Sequence, residues 1–573
     1  MAQRAGHTRA AQCEGSSVGV AEMRPDCGNC TLPAPRPFAH DAPHARALGA
    51  VLGAFLLTSG LAVSAWGQTK EWVPPDPCPA VAARLRLQPG GTVEVSRIDV
   101  GGNTVFTADA LRPLVAGYEG RPLSVAEVCS VAGLLQKHYQ TGYPYAQVRV
   151  AEPGLRDGVL TLQVLEGRVK DLVIQGNDRY SDAYVRSRLH EMAPGRVLSR
   201  RGFEEGVVLL NTTPGLQAQV AVQPAAAADG LFDVTVTVKD HLLLASAGAD
   251  NNILDAFGDW QGRVHVELLD VTGHGDGFAV EPSLREGKVP NGISLSYRLP
   301  LTRDGGAIQA TFLDADFQFI KSSPLMGVRT DVSYASVQYV QPLETSFGRN
   351  ASWSVGASRF VSGAKLEGSF ETREAVYLLS GSVVFSRGQP GGATTTAWAQ
   401  FSTNFRRNEG GLRKDAEPAR LDLWANHEHW LRPGLSVYVL GIGVLSLDPL
   451  PPSQKVNLGG PVCVRGFPIG EAMGDQGYLL RAELRQRFQA HANFVFTPRA
   501  TFDQGGVYRK LPDRSAAADP DRKDTLPSAG AGLSLQLFRR LDLSVDWSHP
   551  LGDHPVRDQK TSGRFWWTGS ISY

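Results

Sequence analysis

Residues 461–471 read PVCVRGFPIGE and set Arg465 among apolar neighbours in a stretch rich in Gly and Pro. A guanidinium in such a place either sits in solvent on a surface loop or is buried against a carboxylate, because an unpaired buried charge is prohibitively costly. Asp503, in TFDQG (501–505), follows 38 residues later, enough chain for two strands and a turn. Two other groups suggest metal chemistry. Cys27 and Cys30 form CGNC, but no second pair follows at ligand spacing. His427, Glu428 and His429 lie together in a strand-like run with no third ligand at helical spacing, so they read as core or lumen side chains. No P-loop or other nucleotide-binding pattern occurs, and the expectation is no catalytic residue, no metal and no cofactor.

Composition narrows the setting. The chain has 573 residues, too many for one ordinary domain. Lys plus Arg total 57 and Asp plus Glu total 57, a balance that argues against nucleic acid as a partner. Glycine is abundant at 62 and methionine scarce at 5, which suits strands and turns. Residues 48–63, LGAVLGAFLLTSGLAV, form an apolar run preceded by Arg36, His40, His44 and Arg46 and followed by the small residues of VSAWGQ. A basic lead, a short apolar core and a small-residue exit describe a secretory signal peptide. The run is short for a spanning helix, which needs about 20 apolar residues. Residues 1–67 are therefore assigned to an extended leader, with cleavage after Ala65 or Gly67 and Met23 as an alternative start. Cys78, Cys129 and Cys463 stay in the mature chain, where a Cys78–Cys129 bond is left open.

The elements that would position Arg465 fall into two regions. Between 93 and 240 a unit repeats: IDVGGN (98–103) matches LVIQGN (172–177) at an offset of 74, and GRPLS (120–124) matches GRVLS (195–199) at 75. Each copy closes on an alternating strand, GVLTLQVLEG (158–167) and GLFDVTVTVKD (230–240). Between them Val125, Val128, Val131, Leu134, Leu135 and Tyr139 share one helical face. The pattern predicts two β-α-α-β-β domains, 93–167 and 168–240. Residues 68–92 precede them as a linker or a short plug helix around PAVAARLRL (79–87).

From 241 to 573 alternation dominates. LDLSVDWSHPL (541–551) sets Leu541, Leu543, Val545 and Trp547 against Asp542, Ser544, Asp546 and Ser548. LLRAELRQRF (479–488) sets Leu480, Ala482, Leu484 and Phe488 against Arg481, Glu483, Arg485 and Arg487. A soluble sandwich also alternates. Several charges on one strand face, strands of about ten residues, an export signal and a last strand ending on Tyr573 favour a transmembrane barrel, the only β form that can span a bilayer.

A signal peptide, two such repeats and a C-terminal barrel resemble the two-partner secretion transporters (TpsB; ShlB/FhaC/HecB family) of Gram-negative bacteria, within the superfamily that includes BamA. The resemblance covers roughly 93–573. It implies α+β periplasmic POTRA repeats, an all-β barrel of 16 antiparallel strands, and an outer-membrane location with the POTRA domains in the periplasm. The family's V-R-G-[FY] motif, on a loop folded into the lumen around 455–475, is matched by Val464, Arg465, Gly466 and Phe467. Its F-x-D-x-G motif is met by Phe502, Asp503 and Gly505, with Thr501 in the first place. By resemblance Arg465 pairs with Asp503 on the barrel wall, Gly466 permits a sharp turn, Phe467 wedges against the wall, and Tyr573 is the C-terminal barrel signal. Arg481, Glu483, Arg485 and Arg487 would face the lumen. The implied activity is export of a haemagglutinin- or haemolysin-like partner exoprotein, with outer-membrane lipid and the barrel-assembly machinery as further partners. A barrel-assembly factor of the same superfamily is the alternative, though such proteins usually carry more POTRA domains. A porin would lack the repeats, and a TonB-dependent receptor would need a large plug domain.

Overall fold

The computed structural model describes residues 75–85, 91–226, 229–321, 327–366, 370–389, 392–410, 419–510, 523–552 and 562–573. The leader, with Cys13, Cys27 and Cys30, lies outside these residues. Five α-helices occur among them: α1 (Cys78–Leu85), α2 (Ala108–Val115), α3 (Val125–Gln140), α4 (Asp182–Arg188) and α5 (Arg200–Asn211).

The repeat seen in the sequence is a repeat of local geometry. In the first unit strand Arg97–Gly101 runs parallel to Val159–Leu165, which pairs antiparallel with Gln147–Arg156, while α2 and α3 carry the intervening chain. In the second, Arg168–Gln175, Leu231–Asp240 and Leu216–Pro224 repeat that order around α4 and α5. Gly102 and Gly176 both hold positive φ, and a Cβ would meet the carbonyl oxygen of Val164 or Val238 at 2.3 or 2.5 Å. That conformation and that space admit only glycine. The asparagine that follows each donates 2.9 Å from Nδ2 to a carbonyl three residues on, Asn103 to Phe106 and Asn177 to Tyr180. Ser124 and Ser199, the last residues of the repeated pentapeptides, are the N-caps of α3 and α5. The period extends to Glu166 and Asp240, whose carboxylates accept backbone N–H groups from the loop after the first strand. Each unit has its own apolar core.

Two antiparallel neighbours flank every strand of a closed barrel that begins at Leu243–Asp250 and ends at Arg564–Ser572. It has 16 strands, the short segments Glu409–Gly410 and Phe488–His491 continuing Ala393–Asn404 and Gln476–Gln486. The last strand returns to the first through Thr568–Ser572 paired with Ser246–Asp250, so no edge is left in the hydrocarbon. Val337, Val355, Leu379, Val383, Phe401, Leu423, Leu480, Leu484, Val545 and Phe565 are exposed on the outer face, the band that lipid covers. Alternate residues face the lumen. The second unit touches the barrel's short turns: Arg188 on α4 donates to the carbonyls of Thr302 (2.7 Å) and Arg303 (3.0 Å), and Phe203 on α5 meets Phe347 edge-on.

Helix α1 is not in the lumen, contrary to the plug alternative. Cys78 is bonded to Cys129 on α3, Gln136 on α3 donates to the carbonyl of Pro75, and Arg84 donates to the carbonyl of Val150. One covalent link and two hydrogen bonds thus hold the segment against the first unit. Among the described residues no helix is long and apolar enough to cross a membrane.

Candidate functional site: an arginine loop inside the barrel

The chain between Ser446 and Gln476 leaves one barrel strand and enters the next, yet its middle contacts the barrel wall from within. Two short strands, Val456–Leu458 and Ala472–Gly474, pair and stiffen the stem. Buried Asp475 accepts the N–H of Leu450 (2.8 Å) and of Lys510 (2.7 Å), tying stem to wall. Arg420 donates to the carbonyl of Gln454 from a third strand. At the tip, Gly460 N–H to Phe467 C=O (2.9 Å) closes the turn that carries the motif.

Arg465 lies at that tip, 3% exposed. Its Nε and Nη2 donate to the two oxygens of Asp503 at 2.8 and 2.7 Å, a bidentate pair, and its backbone N–H donates to the same carboxylate at 3.1 Å. Its Nη1 reaches Glu483 at 2.8 Å and Asp546 at 3.4 Å. The carboxylates come from three strands, Phe494–Tyr508, Gln476–Gln486 and Leu541–Pro550. Three more arginines complete the network: Arg481 on Asp503 (2.9 Å), Arg485 on Glu483 (2.8 Å) and Glu428 (3.6 Å), and Arg499 on Asp546 (3.0 Å). Four guanidinium groups thus face four carboxylates, which is how a buried charge cluster avoids an uncompensated member. Arg481 also donates to the carbonyls of Pro461 (3.0 Å) and Cys463 (2.7 Å), gripping the loop's backbone directly.

Shape completes the fit. Val464 and Phe467 are fully buried with Leu458, Leu479, Val507 and Leu526. Gly505 lies opposite Val464, whose Cγ2 would stand 2.8 Å from an added Cβ. Gly466 differs from its expected role. Its φ is not left-handed, so no sharp turn requires it. A Cβ there would stand 2.5 Å from Ser528 Cβ and 2.9 Å from the backbone nitrogen of Pro550, so what the position needs is close approach to the wall. Its N–H donates to Ser528 Oγ at 3.2 Å, and the carbonyl of Arg465 accepts from Trp566 Nε1 at 2.7 Å.

The structure brings Val464, Arg465, Gly466, Phe467, Asp503, Gly505, Arg481, Glu483 and Arg485 together, and separates three others. Phe502 is 42% exposed on the outer face, because the residue before an inward Asp503 must point outward. Arg487 sits exposed at the break between Gln486 and Phe488 and does not join the network. Tyr573 is exposed, its N–H bonded to Ala245 C=O and its ring under Arg540. Glu428 faces the lumen while His427 and His429 point outward, so the three cannot share a ligand. In the sequence Asp546 is only one of a polar strand face, and Trp566 and Ser528 carry no sequence signal of contact with the loop.

Two family models match the chain, the POTRA domain of ShlB type over residues 93–167 and the haemolysin secretion/activation protein ShlB/FhaC/HecB over 442–537, the segment that holds the loop and Asp503. Over both stretches the chain matches the TpsB family. It is an outer-membrane transporter that secretes a partner protein and carries N-terminal POTRA domains. Among curated proteins this transporter is 25% identical to the outer membrane transporter CdiB of Dickeya dadantii, over 71% of its length and 74% of the relative's. It is 21% identical to the heme/hemopexin transporter HuxB of Haemophilus influenzae, over 82% and 85%. The hemolysin transporter ShlB of Serratia marcescens is 24% identical, over 74% and 76%. Two solved structures share the fold. CdiB from Escherichia coli has a TM-score of 0.70 at 19% identity, covering 91% of this chain and 99% of that one. CdiB from Acinetobacter baumannii has 0.64 at 16%, covering 94% and 100%.

Proposed function

We propose that this transporter passes an unfolded exoprotein of the haemagglutinin or haemolysin kind from its POTRA domains through the barrel to the cell surface, with the arginine loop pinned in the lumen as the part that must hold or yield. The observation that carries this reading is Arg465, buried at the tip of a re-entrant loop and shared among wall strands. No nucleotide is at hand in the periplasm, so binding and folding supply the work. Residues 93–167 and 168–240 act as POTRA 1 and POTRA 2, and an extended partner segment joins a sheet edge by strand addition. The two outer edges are not equivalent. On POTRA 1, Val148 N–H is taken by Gln136 Oε1 (3.0 Å) and Val150 C=O by Arg84 (2.5 Å). On POTRA 2, Asn211 takes both backbone groups of Ala218. Val220 and Val222 share that edge, and among the described residues no strand pairs with it. Strand addition therefore falls to 220–224. Outer-membrane lipid surrounds the barrel, and the barrel-assembly machinery inserts it.

Deleting the gene tests the reading. The partner accumulates in the periplasm while other outer-membrane barrels assemble normally; a general failure of barrel assembly would favour the assembly-factor alternative.

A further inference from the structure

The lumen wall is divided by charge. In the five strands Ala307–Gln318, Arg329–Thr345, Arg349–Leu366, Phe370–Gly388 and Ala393–Asn404, the inward residues form rows in register. One row is Gln309, Gln338, Gly356, Ser380 and Ser402. The next is Ala307, Val340, Ser354, Ser382 and Gln400. Among the described residues the one inward charge on these strands is Glu374, near the outer mouth, and it accepts the loop's Ser453 N–H at 3.4 Å. The hydroxyls and amides bond to each other, as Ser354 to Ser382 (2.8 Å) and Gln338 to Gln309 (2.7 Å). Charge resumes at both borders, where Arg298 pairs in register with Gln309 and Arg420 with Ser402. Strand spacing of ~4.8 Å makes this neutral panel about 19 Å wide. Apart from that Ser453 contact at the outer mouth, the loop's tip lies against other wall strands, those of Asp503, Glu483, Asp546 and Trp566.

We propose that the neutral panel is the track along which the exported polypeptide crosses the barrel. The proposal rests on the transporter reading and adds which wall the cargo follows. An unfolded chain presents backbone groups and charges of both signs. The hydroxyls and amides of these rows exchange hydrogen bonds with that backbone, and toward the outer mouth the inward Leu313, Val332, Tyr334 and Phe360 cluster continues the panel as an apolar but still uncharged surface, whereas a fixed charge in a partly dry lumen holds opposite charges and rejects like ones. The panel leaves cargo of either sign mobile.

The test uses full-length protein in planar bilayers and unstructured Gly/Ser/Thr peptides with scattered Asp or scattered Lys, added from the POTRA side. On wild type the two peptides interrupt the current with similar dwell times. Ser382→Lys, or Gln400→Lys if the first does not give a heat-modifiable barrel, lengthens the dwell of the Asp peptide by about tenfold, the scale of one close charge pair in a partly wet site, and shortens that of the Lys peptide. Gln536→Lys, inward on the other wall, leaves both unchanged. Equal dwell times in Ser382→Lys and wild type, or an equal change in Gln536→Lys, overturns the track. Wild-type current that neither peptide interrupts removes the transporter reading as well.

Discussion

Two segments of this chain are fastened to larger bodies, and by opposite chemistry. The lumen loop is held by ions: Arg465 is shared among Asp503, Glu483 and Asp546, and Arg481 grips its backbone. The N-terminal helix is held by a covalent bond, Cys78–Cys129, with Gln136 and Arg84 as lesser ties. An ionic latch opens and recloses without a reaction, and its strength depends on every partner being present, since a half-broken buried cluster costs more than an absent one. A disulfide survives any motion of the barrel and yields to reductant alone. The contrast separates a fastening that can open and reclose from one that cannot: in the proposed function the loop yields, while α1 stays tied to the first unit.

The sharpest way to break the contrast is Arg465→Ala. It removes the guanidinium that Asp503 and Glu483 share and leaves them only Arg481 and Arg485, a loss of up to about 3–5 kcal/mol. Export is expected to collapse while the barrel stays heat-modifiable in the membrane; secretion at the wild-type level would end the latch role. Next comes Cys78→Ser with Cys129→Ser. Opening a link that spans 51 residues is expected to cost about 2–4 kcal/mol. It should expose residues 75–85 to limited proteolysis and leave Cys463 in the loop no more reactive to thiol reagents. Changed Cys463 labelling would show that the two fastenings are coupled.

Gly466→Ala pushes a methyl into Ser528 and the Pro550 backbone, at about 1–3 kcal/mol for an overpacked contact, and should lower export less than Arg465→Ala does. Trp566→Phe keeps an aromatic side chain, though a smaller one, and removes the N–H that Arg465 C=O accepts; that hydrogen bond alone is about 1 kcal/mol, read as faster labelling of Cys463. The smallest effect is on the base of the disulfide strap. The Ser124 backbone N–H, then Arg121 and the Ser124 hydroxyl, hold the Glu127 carboxyl at about 2, below its ordinary 4.5. Because the folded value is depressed, this cap contributes fully above pH 4.5 and is lost as pH falls toward 2. Hydrogen exchange at the start of α3 should quicken over that window, and Glu127→Gln should flatten the change.

Much of this was legible in the sequence for a local reason. Gly102 and Gly176, Asn103 and Asn177, and Ser124 and Ser199 each do their work within a few residues, so their recurrence at one period exposes a repeated fold. Strand alternation likewise needs only neighbours. The Arg465–Asp503 pair is legible only through the family motif; spacing alone favours a solvated surface loop. Phe502 belongs to the wall motif by sequence, but period two already turns it away from the loop once Asp503 faces inward. Asp546 and Trp566 stayed hidden because they lie 81 and 101 residues from Arg465, on strands whose place around the barrel only closure determines.

The bond between Cys78 and Cys129 also dates the assembly. Thiols stay reduced in the cytoplasm and pair only after export, so newly made chain arrives with its first helix loose. The periplasm's oxidising catalysts thereby become the finishers of this molecule. A cell short of them would display a complete barrel whose leading segment trails free, an easy mark for proteases.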